Sequence, residues 1–424
     1  MQATAVIGPP AAGADTRSAG RLRECPDCGL FQRLPPLPRG SVARCPRCAA
    51  VLRRRRVDPV GRSLALVVTG LLLFALALSL PFMDVEVGGL VRATSLLTGP
   101  AELEQQGAWE LALAVLVTTL GAPLGRLLLL TYVLLGLHLP RPPRHLYAVF
   151  RWVEWLSPWS MVEVFLLGVF VAYTRLIELA HVEVGGAVVA LGALMLASAA
   201  ADGALDHEAV WEGLEHSGVV AGAARGAARG PRFGCDSCGL VSHATGSCPR
   251  CGANVRPRKR DSLGRTWALL AAAAVLYIPA NTMPVLTLIH FGRGSPSTIL
   301  GGVAELAADG MWPLALLVLF ASVVVPMLKL ASLVLLLITT QRGSRWRLRD
   351  RTLLYRIVDS VGRWSMIDVF MVSILTALVR MGTIASISPG TGAIAFCAVV
   401  VLTMLAAHSF DPRLMWDAAA RTRP

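Results

Sequence analysis

The sequence predicts an α-helical polytopic membrane protein, a tandem repeat of two four-helix transmembrane units, each preceded by a small cytoplasmic four-cysteine zinc ribbon. Three observations predict this fold: eight long apolar runs, two sets of four cysteines in C-x-x-C pairs, and an internal repeat. The composition agrees, because 54% hydrophobic residues, 16% charged residues and a mean hydropathy of +0.59 are typical of a chain in a bilayer.

The apolar runs are long enough to cross a bilayer, so they set the number of spans. They occupy residues 64–82, 109–137, 155–180 and 184–201, and then 267–289, 311–339, 358–387 and 392–407. We therefore expect four membrane spans in each half of the chain. The segments 84–107 and 290–310 are too long for tight turns and contain β-branched residues and glycine, so we expect small caps with some strand content.

Arginine is concentrated in the loops on one predicted side of the membrane. It fills residues 53–56 before the first run, recurs as Arg141, Arg144 and Arg151, and occurs six times between residues 342 and 356. Because cytoplasmic loops carry an excess of Lys and Arg, we expect a multi-pass protein of the bacterial cell inner membrane with both termini cytoplasmic. These loops and anionic lipid head groups explain the net charge of +13, so nucleic acid is not an expected partner.

Eight of the nine cysteines form four C-x-x-C pairs, whose intervening stretches measure 16 residues in the first set and 9 in the second. The candidate metal ligands are Cys25, Cys28, Cys45, Cys48, Cys235, Cys238, Cys248 and Cys251. Two such pairs supply the four thiolates of a tetrahedral zinc site, which folds a domain too small for its own core. Iron remains an alternative, because four thiolates bind either metal. Four cysteine ligands leave no open coordination position, so we expect two structural sites and no enzyme.

The second half of the chain repeats the first in the same orientation. Pro123 recurs 203 residues later as Pro326, and the motif W-S-M-hydrophobic-acid-V-F at 159–165 returns at 364–370, an offset of 205. Because each unit has an even number of spans, the two copies are parallel and related by an axis along the membrane normal.

The expected organisation has six segments. Residues 1–57 hold an N-terminal tail and the first zinc ribbon, 58–205 the first four-helix unit, 206–231 a cytoplasmic linker, 232–260 the second zinc ribbon, 261–411 the second four-helix unit and 412–424 a cytoplasmic tail. The first 24 residues contain no apolar core of signal-peptide length, so no cleaved leader is expected.

Charged residues recur inside the predicted spans at equivalent positions. Arg126 and Lys329 lie in the second span of each unit, and Glu163 and Asp368 in the third. A charge at the bilayer centre costs about 2.5–3.5 kcal/mol on insertion scales, so it persists where it meets a partner or a wet cavity. Hydroxyls accompany the charges: Thr119, Ser160 and Ser198 in the first unit, and Ser322, Ser365 and Thr403 in the second.

Two interpretations of these charges stay open. One is a buried ion pair that only fixes helix register; the other is a polar cavity for a lipid head group or a proton. In the second interpretation Lys329 and Asp368 meet in a hydrated pocket, and kinks at Pro123 and Pro326 free backbone carbonyls to join them. Lysine changes its pKa more readily than arginine when desolvated, so the second unit is the expected site of proton or ligand chemistry.

With its two ribbons, two four-span units and repeated W-S-M motif, the chain resembles the paraquat-inducible protein A family over nearly its whole length. The resemblance implies an inner-membrane subunit that works with periplasmic MCE-domain proteins and moves or loads phospholipids toward the outer membrane, which supports membrane integrity. Carried onto this sequence, the family's polar network maps to Ser322, Lys329, Ser365, Asp368 and Thr403.

Two other functions compete with lipid transport. A non-transporting scaffold would anchor a periplasmic partner and recruit a cytoplasmic partner through its zinc ribbons. A membrane redox protein would hold iron in the ribbons. Neither lysine lies in a G-x-x-x-x-G-K-[ST] loop, so this chain carries no nucleotide-binding P-loop of its own to drive transport.

Overall fold

The computed structural model describes residues 4–6, 21–87, 90–177, 181–220, 230–243, 245–290, 293–379 and 385–421. Within them, eight helical segments are long and apolar enough to cross a membrane, which confirms the predicted number of spans. Spans 1, 4, 5 and 8 are single helices at Pro59–Ser79, Gly186–Ala204, Ser262–Thr282 and Thr391–Ser409. A buried four-cysteine cluster precedes each helical unit, so the predicted fold class is confirmed.

Spans 2 and 6 each contain a π-helical turn. Span 2 comprises Trp109–Leu116, the π turn Val117–Gly121 and Ala122–His138; span 6 comprises Trp312–Leu319, the π turn Phe320–Val324 and Val325–Gln341. Pro123 and Pro326 are the second residues after these turns. Proline donates no hydrogen bond and its ring clashes with the carbonyl four residues earlier, so the wider turn accommodates it. Each predicted proline kink therefore takes the form of a π turn.

Spans 3 and 7 are interrupted by 3₁₀ turns at the W-S-M motif. Span 3 joins Leu146–Leu156 and Val162–Leu176 through Ser157–Trp159; span 7 joins Leu348–Val361 and Ile367–Leu378 through Gly362–Met366. The apolar runs 155–180 and 358–387 begin too late for these spans, because the first helices carry charges such as Arg151 and Arg351. Similarly, the run 267–289 ends in the strand Leu286–His290, whose apolar residues resemble a helix continuation.

A small three-stranded antiparallel sheet covers each unit at the end opposite the ribbons. One sheet contains Met83–Val87, Leu90–Thr94 and His181–Val184, and the other Leu286–His290, Arg293–Ser297 and Ala385–Pro389, with the first-named strand central in each. The short helices Thr98–Gln105 and Ile299–Ala308 follow the sheets in the chain. The expected strand content of these caps is confirmed.

The two ribbons are built from short hairpins that carry the cysteines at their turns. The first pairs Arg21–Glu24 with Phe31–Leu34 and Val42–Arg44 with Val51–Arg54, and Thr4–Val6 runs parallel to Val42–Arg44. The second pairs Phe233–Gly234 with Val241–Ser242 and Gly246–Ser247 with Asn254–Val255.

A short helix follows each transmembrane unit, and we call these two the docking helices. The first, His207–His216, lies in the predicted linker 206–231, of which residues 221–229 are outside the described part of the chain. The second, Arg413–Arg421, lies in the predicted tail 412–424, whose last three residues are also outside it. Asp206 caps the first helix by accepting from the backbone N–H groups of Glu208 and Ala209.

The ribbons pack crosswise on the two units. Cysteines of the first ribbon share an apolar cluster with Val358 and Phe410 of the second unit and with Trp416 of the second docking helix. Cysteines of the second ribbon instead share a cluster with Trp211 and Leu214 of the first docking helix. The cysteine cluster of the first ribbon therefore packs on the second unit, and that of the second ribbon packs on the docking helix of the first unit.

The two units meet along the second helix of span 7. Every residue of Ile367–Leu378 is buried, and this helix packs against Val162–Leu176 and Thr98–Gln105 of the first unit. The rings of Phe165 and Phe370 meet edge to face at 5.6 Å between centroids. A Cβ at Gly168 would lie 3.0 Å from the Phe370 Cβ, so a glycine here permits the close approach.

Candidate functional site

Both cysteine clusters have the dimensions of a four-thiolate metal site. In each set all four Sγ atoms lie within 4.8 Å of one another and all four residues are buried. The Sγ–Sγ distances are 3.5 Å for Cys25–Cys48 and 3.6 Å for Cys28–Cys45, with 3.5 and 3.6 Å in the second ribbon. A tetrahedral site with metal–sulfur bonds of about 2.3 Å has sulfur–sulfur edges of about 3.8 Å. The arrangement therefore fits a tetrahedrally coordinated metal ion.

The local backbone shapes each cysteine pair into a knuckle. The N–H of the residue after the second cysteine donates to the carbonyl of the first, as in Gly29 to Cys25 at 2.9 Å and Gly252 to Cys248 at 2.9 Å. That residue has a positive φ in all four knuckles, and at the second knuckle of the first ribbon it is Ala49, with φ 59°. An alanine therefore adopts a conformation that elsewhere in the ribbons belongs to glycine.

Glu24 joins the two ribbons to the second docking helix. It precedes Cys25, and its Oε2 accepts from the N–H of Gly234, which precedes Cys235, at 2.7 Å. Its Oε1 lies 3.2 Å from Arg258 Nη1 and 3.5 Å from Arg413 Nη1. Burial raises the pKa of Glu24, and it outweighs the Gly234 hydrogen bond and the two arginines. A Cβ at residue 234 would meet the Glu24 side chain at 2.7 Å, so only glycine leaves room for this contact.

Glu208 of the first docking helix also joins the two ribbons, because it forms ion pairs with arginines of both. Arg21 and Arg23 of the first ribbon reach its carboxylate at 3.1 and 2.8 Å, and Arg250 of the second ribbon at 3.3 Å. Burial raises the pKa of Glu208, but Arg23 and Arg250 outweigh it, so the pKa is lowered overall. Arg250 also lies 5.5 Å over the Trp211 ring, and its counterpart Arg47 lies 4.3 Å over Trp416. The ribbons are therefore fastened to both units.

Lys329 is a buried charge in span 6 of the second unit. It is 2% exposed, and its Nζ donates to Thr403 Oγ1 at 2.9 Å and to the Gly362 carbonyl at 3.4 Å. These bonds join span 6 to span 8 and to the 3₁₀ turn of span 7. The hydrogen bonds of Nζ to described residues do not include Asp368, so the direct meeting of Lys329 with Asp368 expected from the sequence is not observed.

The other members of the second set lie on the interruptions of the same spans. Ser322 is in the π turn of span 6, Ser365 in the 3₁₀ turn of span 7, and Asp368 is the second residue of the helix that follows. All three are buried. Among the described residues, the hydroxyl oxygens of Ser322 and Ser365 have no hydrogen-bond partner. The helix N-terminus favours a carboxylate in its first turn, which suits Asp368.

A cavity of about 290 Å³ is lined by Gly362, the residue whose carbonyl accepts from Lys329. Asp359 and His408 line its exposed part, and His408 Nδ1 lies 3.8 Å from Asp359 Oδ1. Gly362, whose carbonyl accepts from Lys329, lies in its buried part. Ser157 of span 3 also lines it, so the cavity lies between the two units. The lysine is thus one residue removed from a space accessible to water.

The corresponding residues of the first unit do not converge. Arg126 pairs with Asp202 at the end of span 4, while Glu163 lies 3.6 Å from Arg363 of the second unit. The Thr119 hydroxyl donates to the Val115 carbonyl at 2.7 Å. Ser160, just after the 3₁₀ turn, and Ser198, in span 4, are half-buried. The residues equivalent in sequence therefore occupy different environments in the two units.

Sequence reasoning missed several residues that organise these sites. Asp202 was overlooked because it follows the apolar run 184–201, yet its counterpart 205 residues later is Ala407, so the asymmetry was readable. Gly362 contributes only a backbone carbonyl, for which sequence offers no signal. Glu24 and Glu208 precede or follow the recognised motifs, and their ion-pair partners lie between 42 and 389 residues away.

The comparisons with known proteins agree with this architecture. The family model described as paraquat-inducible protein A matches residues 60–215 and again 263–420. The chain is 33% identical over 397 residues to "Intermembrane transport protein PqiA" of Escherichia coli K12, covering 93% of this chain and 95% of the relative. It is 31% identical over 404 residues to "Lipophilic envelope-spanning tunnel protein A" of the same strain, covering 94% and 92%.

A "Probable intermembrane transport protein" of Haemophilus influenzae is 25% identical over 405 residues, covering 93% of this chain and 96% of the relative. No solved structure matches the chain. The relatives are named for transport between membranes and not for an enzymatic activity. The two family matches, one on each four-span unit, and the near full-length relatives show that this chain, a membrane protein with a role in transport between membranes, belongs to the paraquat-inducible protein A family.

Proposed function

We propose that the protein is the inner-membrane subunit of an MCE-type lipid transport system. It moves or loads phospholipids between the inner membrane and a periplasmic tube of MCE-domain proteins that leads toward the outer membrane. The names of its relatives, which speak of intermembrane transport and of a lipophilic envelope-spanning tunnel, support this function. The family resemblance supplies the MCE partner and the phospholipid substrate.

The observation that carries the proposal is the buried polar set of the second unit. A buried lysine held by one hydroxyl and one carbonyl is costly in hydrocarbon unless a ligand or a proton uses it. Spans 6 and 7 also carry two buried hydroxyls, Ser322 and Ser365, that have no hydrogen-bond partner among the described residues. Apart from Thr403, the set lies on the interrupted spans 6 and 7. Substrate sites of transporters also lie on broken spans, because these expose backbone groups and helix ends within the membrane. The energy for transport then comes from the proton gradient, from the partner protein or from the concentration gradient of the lipid.

A photo-crosslinking experiment tests lipid binding at this set. A photoreactive residue at Val325, buried one helical turn before Lys329, should capture phospholipid in cells. The matched control is Leu328, next to Lys329 but 56% exposed and therefore in contact with annular lipid. Capture at Leu328 without capture at Val325 would reject the proposal.

The competing scaffold function makes the opposite prediction for two groups of variants. If the protein only anchors partners, Lys329→Ala and Asp368→Asn retain full transport while Cys25→Ser, which removes a ribbon ligand, abolishes it. In the transport function, the two membrane variants lose transport with the ribbons intact.

We further propose that both ribbons hold structural Zn²⁺ and face the cytoplasm. The four buried thiolates per site support a closed site, and the arginine-rich loops beside the ribbons support the orientation. Metal analysis of the purified protein should find two zinc ions per chain. Iron in place of zinc would revive the redox function, and reporter fusions at residue 421 that are active only outside the cytoplasm would overturn the orientation.

A further inference from the structure

A groove of about 590 Å³ lies where span 1 begins and span 4 ends, on the ribbon side of the first unit. Arg56 and Arg62 contribute its positive charge, and no acidic residue lines it. Ala65 and Leu66 of span 1 and Ala200 of span 4 form an apolar wall that continues toward the membrane interior. The groove therefore presents cations at the membrane surface and small apolar side chains below them.

The two guanidinium groups are available for a ligand. Within the described ranges, neither Arg56 nor Arg62 forms an ion pair, and Arg56 Nε is buried without a hydrogen-bond partner. Neighbouring acidic groups are already engaged: Asp58 accepts from the Gly61 N–H at the start of span 1, and Asp202 contacts Arg126. Asp206, whose charge acts on Arg56, caps the first docking helix. Guanidinium groups bind phosphate oxygens through paired N–H donors, so a phosphate suits this site.

The second unit provides an internal comparison. Arg56 corresponds to Lys259, 203 residues later, and Lys259 Nζ donates to the carbonyls of His408 at 2.6 Å and Phe410 at 3.2 Å. These carbonyls belong to the end of span 8, the counterpart of the end of span 4. Lys259 therefore satisfies the carbonyls at the end of the last span of its own unit, whereas Arg56 forms no such hydrogen bond with the described residues at the end of span 4. The groove is therefore accessible in the first unit, while the side chain of Lys259 occupies the equivalent position in the second unit.

We propose that this groove binds the head-group phosphate of an anionic phospholipid from the leaflet that the ribbons face. Arg56 and Arg62 hold the phosphate, and the acyl chains lie against Ala65, Leu66 and Ala200. Basic pockets between spans at this depth suit anionic lipids. An anionic lipid fits better than phosphatidylethanolamine, because the groove has no carboxylate to receive an amine. The site is separate from Lys329 and does not depend on the proposed transport.

Lipid retention by the full-length protein tests the site. The purified protein is titrated with phosphatidylglycerol or phosphatidylethanolamine in detergent, and bound lipid is counted by native mass spectrometry. We expect phosphatidylglycerol to bind at least about tenfold more tightly than phosphatidylethanolamine, and Arg56→Gln with Arg62→Gln to remove this preference. The matched control Arg265→Gln, the exposed counterpart of Arg62 in the second unit, should keep it.

A second variant guards against a folding defect. Ala200→Trp fills the groove while retaining both arginines, and it should lose the bound lipid with an unchanged unfolding midpoint. Equal binding of the two lipids, retention by both groove variants, or an equal loss in Arg265→Gln would overturn the site. Displacement of the lipid by millimolar inorganic phosphate alone would overturn the assignment to a lipid.

Discussion

At the scale of single residues, Lys329 shows how a buried charge depends on distant neighbours. The sequence predicts that it lies inside a span beside a proline kink, because its position and Pro326 are both visible there. Its partner Thr403 lies 74 residues away on span 8. A buried ammonium is usually expected to pair with a carboxylate, which here would be Asp368. The packing of span 6 against span 8 instead places the Thr403 hydroxyl within hydrogen-bond distance of Lys329.

Replacing Thr403 should weaken the fold through this contact. Thr403→Val leaves the Lys329 ammonium buried with one carbonyl, so we expect a loss of about 1–3 kcal/mol in unfolding free energy. Denaturant unfolding in detergent measures the change. Ser198→Val, at the equivalent but half-buried position of the first unit, should change it by less than about 0.5 kcal/mol. Equal effects would show that the contact carries no stability.

Ala49 offers a residue-scale test of the ribbon backbone. Because its φ is 59°, Ala49→Gly should relieve about 1 kcal/mol of strain and raise the stability of the first ribbon. Its counterpart Gly252 has φ 68° and no neighbour closer than 3.5 Å to a built Cβ, so Gly252→Ala should cost a similar amount. Metal retention against a chelator reports both changes, and a faster metal loss from Ala49→Gly would contradict the account.

At the scale of elements, the hydropathy pattern of the sequence predicts some of the helices and fails to predict others. Spans 1, 4, 5 and 8 are continuous apolar helices, and their existence follows from hydropathy alone. The predicted runs contain only the last residues of the first helices of spans 3 and 7. These helices are amphipathic, and the charged residues on one face end the apolar run. The docking helices were placed in a linker and a tail, since ten and nine residues of mixed polarity carry little periodic signal.

The Glu24 junction should hold the ribbons together. Glu24→Ala removes the acceptor for the Gly234 N–H and one of the carboxylates that neutralise Arg258 and Arg413. We therefore expect the free energy that holds the ribbons together to fall by about 3–5 kcal/mol. Hydrogen exchange of the ribbon strands is the measurement. Glu104→Ala, an exposed glutamate near the opposite face, is the control. Unchanged protection in Glu24→Ala would mean that apolar packing alone docks the ribbons.

Asp411 predicts how the second docking helix responds to acid. Burial raises its pKa, but its hydrogen bonds and charge interaction with Arg413 outweigh burial, and the pKa is lowered overall. The stability it contributes is therefore complete above about pH 4, near the unfolded pKa, and is lost as pH falls through the lower folded value. Asp411→Asn should flatten this acid limb in unfolding titrations, and an unchanged limb would assign it to other groups.

At the scale of the whole molecule, the tandem repeat predicts two similar units but not their connection. Sequence order suggests that each ribbon stays with the unit that follows it, whereas the cysteine cluster of each ribbon packs on the other unit. Arginines of each ribbon also reach both docking helices. Burial of the Ile367–Leu378 helix between the units adds a second connection. The repeat therefore folds into one body in which equivalent charges differ: Arg126 pairs with Asp202, and Lys329 lies beside a cavity.

We propose that the second unit carries the transport site and that the first unit does not. Transfer of labelled phospholipid from proteoliposomes to acceptor vesicles, with the MCE-domain partner present, compares Lys329→Met with the matched Arg126→Met. We expect Lys329→Met to slow transfer at least about tenfold and Arg126→Met to slow it less than about twofold, with both proteins folded. Undiminished transfer by Lys329→Met, or an equal loss in the two variants, would contradict the claim.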